Sequence, residues 1–231
     1  MRNIVFLLFV LTFHLSAQSQ DSRYVGVMVL IEDSLTHHFV GSSEANNFVQ
    51  RYPATTDFRA FATDTALVLL EQNFPKWDFC TMDNDFFQVY EENREKLRAT
   101  DFRDFRESWF NQIAKEYEVD AILIVRNSPS FTDGIHWTNT EITGYGIYNG
   151  PRRANNSVYI QLEFLFFAGG RPLTHIQGPI FRQERNYPRI DKKDELFEES
   201  DLLLVEELLQ ELIISQVEAA IGNANLLRRL R

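Results

Sequence analysis

Cysteine is almost absent from this chain: Cys80 is the single thiol among 231 residues. No intramolecular disulfide can form, no cysteine cluster is available for zinc, and stability must come from a packed core. Long apolar runs are just as scarce. Residues 4–13 (IVFLLFVLTF) form the one example, well short of the roughly twenty residues a membrane-spanning helix requires. Positive charge is in deficit, 23 Lys and Arg against 33 Asp and Glu for a net charge of −10. That balance argues against DNA, RNA and anionic lipid as main partners. Phosphate loop, HExxH, kinase and zinc-cysteine motifs are all missing, so no cofactor is expected.

What the chain does have begins at its N-terminus. Arg2 supplies a positive start, the apolar run follows, and Leu15, Ala17 and Ser19 place small or neutral residues at cleavage spacing. That layout predicts a secretory signal peptide over residues 1–19, with cleavage after Ala17 or Ser19 equally compatible. The expected location is periplasmic or secreted. With no second apolar run, no transmembrane anchor is expected once the signal is removed. No cysteine near the cleavage region offers a lipid attachment point. Residues 20–231 are expected to form one domain; hydrophobic residues make up 44% of the chain, 20 of them Phe, enough for a core.

Periodicity sets the element order. Residues 24–31 (YVGVMVLI) are continuously apolar, as in a strand covered on both faces. Residues 34–56 are polar and irregular and read as a long loop holding at most one short element. Thr55, Thr56 and Asp57 offer a helix start, after which Phe58, Phe61, Ala62, Thr65, Ala66 and Leu69 recur at helical spacing. Residues 76–82 read as a strand, and residues 88–98 as a charged helix. Phe102, Phe105, Trp109, Ile113 and Tyr117 mark an amphipathic helix, and residues 119–125 (VDAILIV) a third strand. From Val158 to Phe166 apolar and polar residues alternate up to a turn at Ala168-Gly169-Gly170, which predicts an antiparallel hairpin. Residues 142–148 supply a strand beside it. A long helix then runs from Ser200 or Asp201 to about Ile221, with Gly222 as its stop. The fold class is α/β: a single domain whose mixed sheet has a parallel N-terminal part, an antiparallel C-terminal hairpin and a long C-terminal helix.

Three segments carry a family resemblance: YVGVMVLIED at the start, IAKEYEVDAILIV (residues 113–125), and SVYIQLEFLFFAGGRPL (residues 157–173). Together they resemble the periplasmic α/β domain shared by the curli-secretion lipoprotein CsgG and the N-terminal domain of TolB. The resemblance spans about residues 24–221 and implies an envelope scaffold or assembly role. It carries over no catalytic residue, and a lipid-anchor cysteine, a pore-forming hairpin and a following propeller are not evident here.

Candidate site residues follow from the strand order. Ligands of parallel sheets gather beyond the carboxyl ends of strands. Those ends are Glu32-Asp33, Asp83-Asn84-Asp85 and Arg126. Carboxylates there suit a hard cation, although Asp83 and Asp85 lack the glycine and distal glutamate of a calcium loop. The simpler reading is a solvated acidic rim with Arg126 in ion pairs. A second candidate is the segment 127–151, with Asp133, His136 and Trp137; His136 has the side chain of a general base. Gly144-Tyr145-Gly146 lacks the rest of a dinucleotide fingerprint and reads as a bulged strand. His37 and His38, adjacent on an extended chain, point to opposite faces and so make a surface pair rather than a metal site.

The expected function is an exported, non-enzymatic binding or assembly module of the cell envelope, whose partner is an envelope or extracellular protein. The alternative is a metal-dependent or hydrolytic enzyme built on the strand-end carboxylates.

Overall fold

The computed structural model describes residues 23–42, 44–82, 102–128, 131–132, 141–142, 144–150, 156–168, 171–176, 180–183, 189–190 and 192–222. Its strands and helices in chain order are β1 (Tyr24–Leu30), β2 (Ser34–Phe39), β3 (Phe48–Pro53), α1 (Phe58–Asn73), β4 (Asp78–Thr81), α2 (Phe102–Glu116) and β5 (Ala121–Asn127). There follow β6 (Phe131–Thr132), β7 (Glu141–Ile142), β8 (Tyr145–Asn149), β9 (Asn156–Ile160), β10 (Leu162–Ala168), β11 (Arg171–Ile176), β12 (Ile180–Gln183) and α3 (Glu199–Gly222). A single 3₁₀ turn, Glu44–Asn46, precedes β3. The result is an α/β domain with two five-stranded mixed sheets and a two-stranded antiparallel ribbon of β6 and β7.

The first sheet has the order β11-β10-β5-β1-β4. β1 pairs in parallel with β4 and β5, and β10 returns antiparallel against β5 and carries the hairpin partner β11. The two-sided apolar character of β1 has a direct cause. Val25, Val27 and Val29 enter the main core beneath α1 and α3, whereas Met28 and Leu30 face a second cluster with Phe110 and Ile113 of α2. Asp57 caps α1 by accepting the Ala60 N–H at 2.9 Å, and Phe58, Ala62, Ala66 and Leu70 give it a buried stripe at four-residue spacing. The predicted charged helix at residues 88–98 lies outside the described residues.

The second sheet, β12-β9-β8-β2-β3, was not expected. Residues 34–56, read above as a loop, fold as β2 and β3 paired antiparallel, with β8 lying parallel on the other side of β2. The strand signal was hidden because β2 buries Thr36, His37 and His38 where apolar residues would have announced it. The alternating stretch from Val158 to Phe166 is likewise two strands in two sheets. Its in-facing residues Val158, Ile160, Leu162, Phe164 and Phe166 share one core, so the alternation continues unbroken through the change of sheet. At the joint the fully buried Gln216 of α3 accepts the Leu162 N–H at 3.0 Å and donates to the Ile160 carbonyl at 3.2 Å.

Gly146 makes the parallel contact of β8 with β2 possible. Its φ is +151°, and a Cβ there would lie 2.0 Å from the Thr36 carbonyl oxygen. Only glycine tolerates both the angle and the approach. α3 packs against α1, β8 and β9. Among the described residues no helix is long and apolar enough to cross a membrane.

Candidate functional site

The carboxyl-end rim gathers only some of the residues singled out for it. Glu32 and Asp33 sit where the chain leaves β1 for β2, and each faces an arginine: Arg51 Nη1 is 3.7 Å from Glu32 and Arg59 Nη2 is 3.3 Å from Asp33. The backbone of the same crossing is also tied down. Arg59 donates to the Ile31 carbonyl at 3.1 Å, and the Tyr145 hydroxyl donates to the Glu32 carbonyl. Burial pushes the Tyr145 phenol well up, with Asp33 and Glu32 adding to the effect, so it remains a proton donor in that bond.

A cleft of about 500 Å³ opens beside this crossing, with Asp33, Asp57, Arg59, Asp64, Met82 and Tyr117 on its walls. Three of its polar groups hold the fold: Asp57 caps α1, and Arg59 is shared between Asp33 and the Ile31 carbonyl. Arg126 is not on those walls. It lies directly across from Glu163 in the β5–β10 ladder and holds that nearly buried carboxylate at 2.5 Å. Asp83, Asp85 and His136 lie outside the described residues, as do Asp133 and Trp137. Among the described residues no group of three His, Cys, Asp or Glu side chains is placed to hold a metal ion.

A second buried carboxylate also serves the fold. Glu206, on the covered face of α3, accepts the N–H and hydroxyl of Thr55 at 2.7 and 2.6 Å and those of Thr56 at 3.0 and 2.7 Å. Burial raises its pKa, but these hydrogen bonds outweigh that effect and hold the carboxyl below its ordinary value. Cys80 is half-buried against the α2 cluster, and desolvation pushes its thiol up, away from reactivity.

The histidine pair needs correction. His37 and His38 do point to opposite faces of β2, yet both are buried, at 0% and 4% exposure. His37 lies against the rings of Phe48, Tyr52 and Phe197, with its Nε2 2.9 Å from Asn149 Oδ1. Since that oxygen only accepts, the network assigns the ring proton to Nε2. His38 packs edge-on to Tyr159, and neither of its ring nitrogens has a hydrogen-bond partner among the described residues. Burial lowers the pKa of each to about 4.

Beside His37 lies the feature that sequence reading missed. A cleft of about 520 Å³ opens there, with Phe39, Ser42, Asn46, Phe48, Arg189 and Lys193 on its walls. Phe39 and Phe48 stack at 4.8 Å and 16°. The Arg189 guanidinium lies 5.4 Å from the Phe39 ring centre, and its Nη1 donates to the Gly150 carbonyl at 2.7 Å and to Asn156 Oδ1 at 3.2 Å. The Asn149 oxygen that binds His37 also accepts the Ile190 N–H at 3.4 Å, while Gln50 of β3 donates to the Lys193 carbonyl. Arg189 and Lys193 are about 150 residues from the aromatic pair in sequence, so no local spacing pointed to their meeting. The only local trace was Phe39 and Phe48 flanking a polar segment.

No family model and no curated protein matches the chain. Solved structures similar to it include an uncharacterized protein at 10% identity and a TM-score of 0.40, covering 90% of this chain and 92% of that one. Another is protein XCC0632 from Xanthomonas campestris, of the family DUF330, at 7% identity and a TM-score of 0.43, covering 88% of this chain and 86% of that one. A third is the hypothetical protein CT253 from Chlamydia trachomatis, at 10% identity and a TM-score of 0.36, covering 87% and 98%. No functional residue passes from any of them to this chain.

Proposed function

We propose that this protein is an exported, non-enzymatic binding module of the cell envelope that holds a partner protein at the cleft beside β2 and β3. One contrast carries the reading. The described charged groups at the strand ends, Glu32, Asp33 and Arg126, are engaged in ion pairs within the fold. The cleft instead presents Lys193, which has no ion-pair partner among the described residues, next to an arginine fixed in orientation. It adjoins β3, an edge strand with a single paired neighbour among the described strands and with Val49 exposed. Edge strands and grooves of this kind are common sites of protein recognition. The leader pattern of residues 1–19 and the resemblance to envelope-assembly domains support export and an assembly role.

The test is site-specific photo-crosslinking in the native cell, from Val49 beside the cleft and from Val68 on the exposed side of α1. A discrete partner adduct is expected from Val49 and not from Val68, on a chain that has lost its leader and left the cytosol. A full-length cytosolic chain, or no adduct at Val49, would sink the reading.

A further inference from the structure

We infer that the outward face of α3 docks a basic amphipathic helix of another protein. This surface is separate from the cleft beside β2 and β3, and its occupant does not depend on what that cleft binds. Charge is the first ground. Residues 194–222 carry nine carboxylates and no Lys, Arg or His, a charge of −9 against −10 for the whole chain. Some of these groups are engaged within the fold: Glu206 with Thr55 and Thr56, Glu195 with Lys192, and Glu211 with Arg182 of β12. Glu207 and Glu218 are exposed, and neither has a hydrogen-bond or ion-pair partner among the described residues.

The second ground is where apolar surface meets solvent. Of the seven large hydrophobic side chains exposed among the described residues, four fall within residues 196–214: Leu196, Leu203, Leu204 and Ile214. Single exposed leucines are ordinary, but several gathered beside charges of one sign mark an interaction surface. Helical geometry aligns them. Eleven residues make about three turns, so Leu203 and Ile214 lie in one row about 16 Å long, with Glu207 and Glu218 in a second row beside it.

The third is the backbone. N–H and C=O groups inside a helix are bonded within it, so α3 offers no main-chain partner to an extended segment. Contact falls to side chains, which suits a second helix laid along the first. Its leucines then pack between Leu203 and Ile214, and its Lys or Arg side chains meet Glu207 and Glu218. The same face of a second copy would bring like charges together, and an anionic membrane surface would be repelled for the same reason. The cations therefore arrive with the partner.

Fluorescence anisotropy tests this with a labelled peptide of about twenty residues, long enough to be helical, whose leucines form one face and whose arginines flank it. The control has the same composition with the leucines scattered round the helix. The first peptide is expected to bind at least about tenfold more tightly than the control, and to weaken as salt is raised. Glu207→Lys combined with Glu218→Lys, both at exposed positions, should weaken it by about tenfold or more, and Leu203→Ser by about fivefold, with unchanged far-UV circular dichroism. Val49→Ser, beside the cleft, should leave it unchanged. Equal binding of the two peptides would reflect net charge alone and overturns the inference, as does undiminished binding by the double lysine variant. A third labelled peptide, residues 223–231 (NANLLRRLR), is expected to bind at least about tenfold more weakly, being too short to hold a helix. If it binds as tightly as the helical peptide, the chain's own residues are the better occupant and the assignment to another protein falls. The Val49 crosslink reports on the cleft alone, so the two readings fail separately.

Discussion

The two sheets are built to opposite recipes although they share one core. In the first, the buried positions of β1, β5 and β10 are Val, Ile, Leu, Met, Phe, Ala and Gly26, and Glu163 is the one buried charged or polar side chain on its described strands. In the second, β2, β8 and β9 bury Thr36, His37, His38, Asn149, Asn156 and Ser157. An apolar interior fixes geometry by packing alone and responds little to solvent conditions. A polar interior depends on each group finding a partner and each ring remaining neutral. The first sheet is the frame. The second carries a cleft at its edge, and the residues that support that cleft, Asn149 and Asn156, are among its buried polar groups.

Acid should separate the sheets most strongly. His37 and His38 have native pKa values lowered from 6.5 to about 4, so the unfolded chain accepts protons that the folded rings refuse. Their contribution is fully present above pH 6.5, falls as the pH drops, and is lost near pH 4. The loss is on the order of 3 kcal/mol per histidine. Urea unfolding of wild type and His38→Phe across that window should show the variant losing about half as much. Parallel curves would mean that the second sheet is not the acid-sensitive one.

Glycine offers the next contrast. Gly146→Ala in β8 drives a Cβ into the Thr36 backbone at a φ of +151° and should cost about 4 kcal/mol. At Gly26 in β1 the nearest atom would be the Met82 sulfur, the flexible end of a side chain that can move, so Gly26→Ala should cost only about 1 kcal/mol. Chemical denaturation of both variants checks the ratio, and similar losses would contradict this account of the β2–β8 contact.

The smallest difference concerns charge. Arg126→Met strands the buried Glu163 carboxylate and should cost about 2–3 kcal/mol at neutral pH. Asp33→Asn removes an exposed partner of Arg59 and should cost less than about 1 kcal/mol. Thermal melts at pH 7 distinguish them. A larger loss for Asp33→Asn would make the rim more than a joint.

The sequence was most legible where burial is apolar. The α1 stripe from Phe58 to Leu70 and the parallel β1–β5 pair emerged from periodicity because each has a face made only of apolar residues, and α3 emerged although its covered face also buries Glu206 and Gln216. It was least legible in β2, where Thr36, His37 and His38 occupy buried positions, and at Gln161, where a strand changes sheets without a change in pattern. Of the candidate site residues, Asp33 and Arg126 proved to be ion-paired elements of the fold, because a carboxylate at a strand end says nothing about which arginine the packing brings to it.

Chain composition and hydrophobic rhythm by themselves determined that this is an α/β domain with a parallel start, an antiparallel return and a closing helix. Those follow from which residues must leave water, a property each residue carries locally. Only tertiary structure decided that the main strands divide into two five-stranded sheets, that His37 and His38 are buried, and that Phe39 and Phe48 meet Arg189 and Lys193 at a cleft. Contacts between residues so distant in the chain depend on how the sheets pack, and no local pattern encodes that.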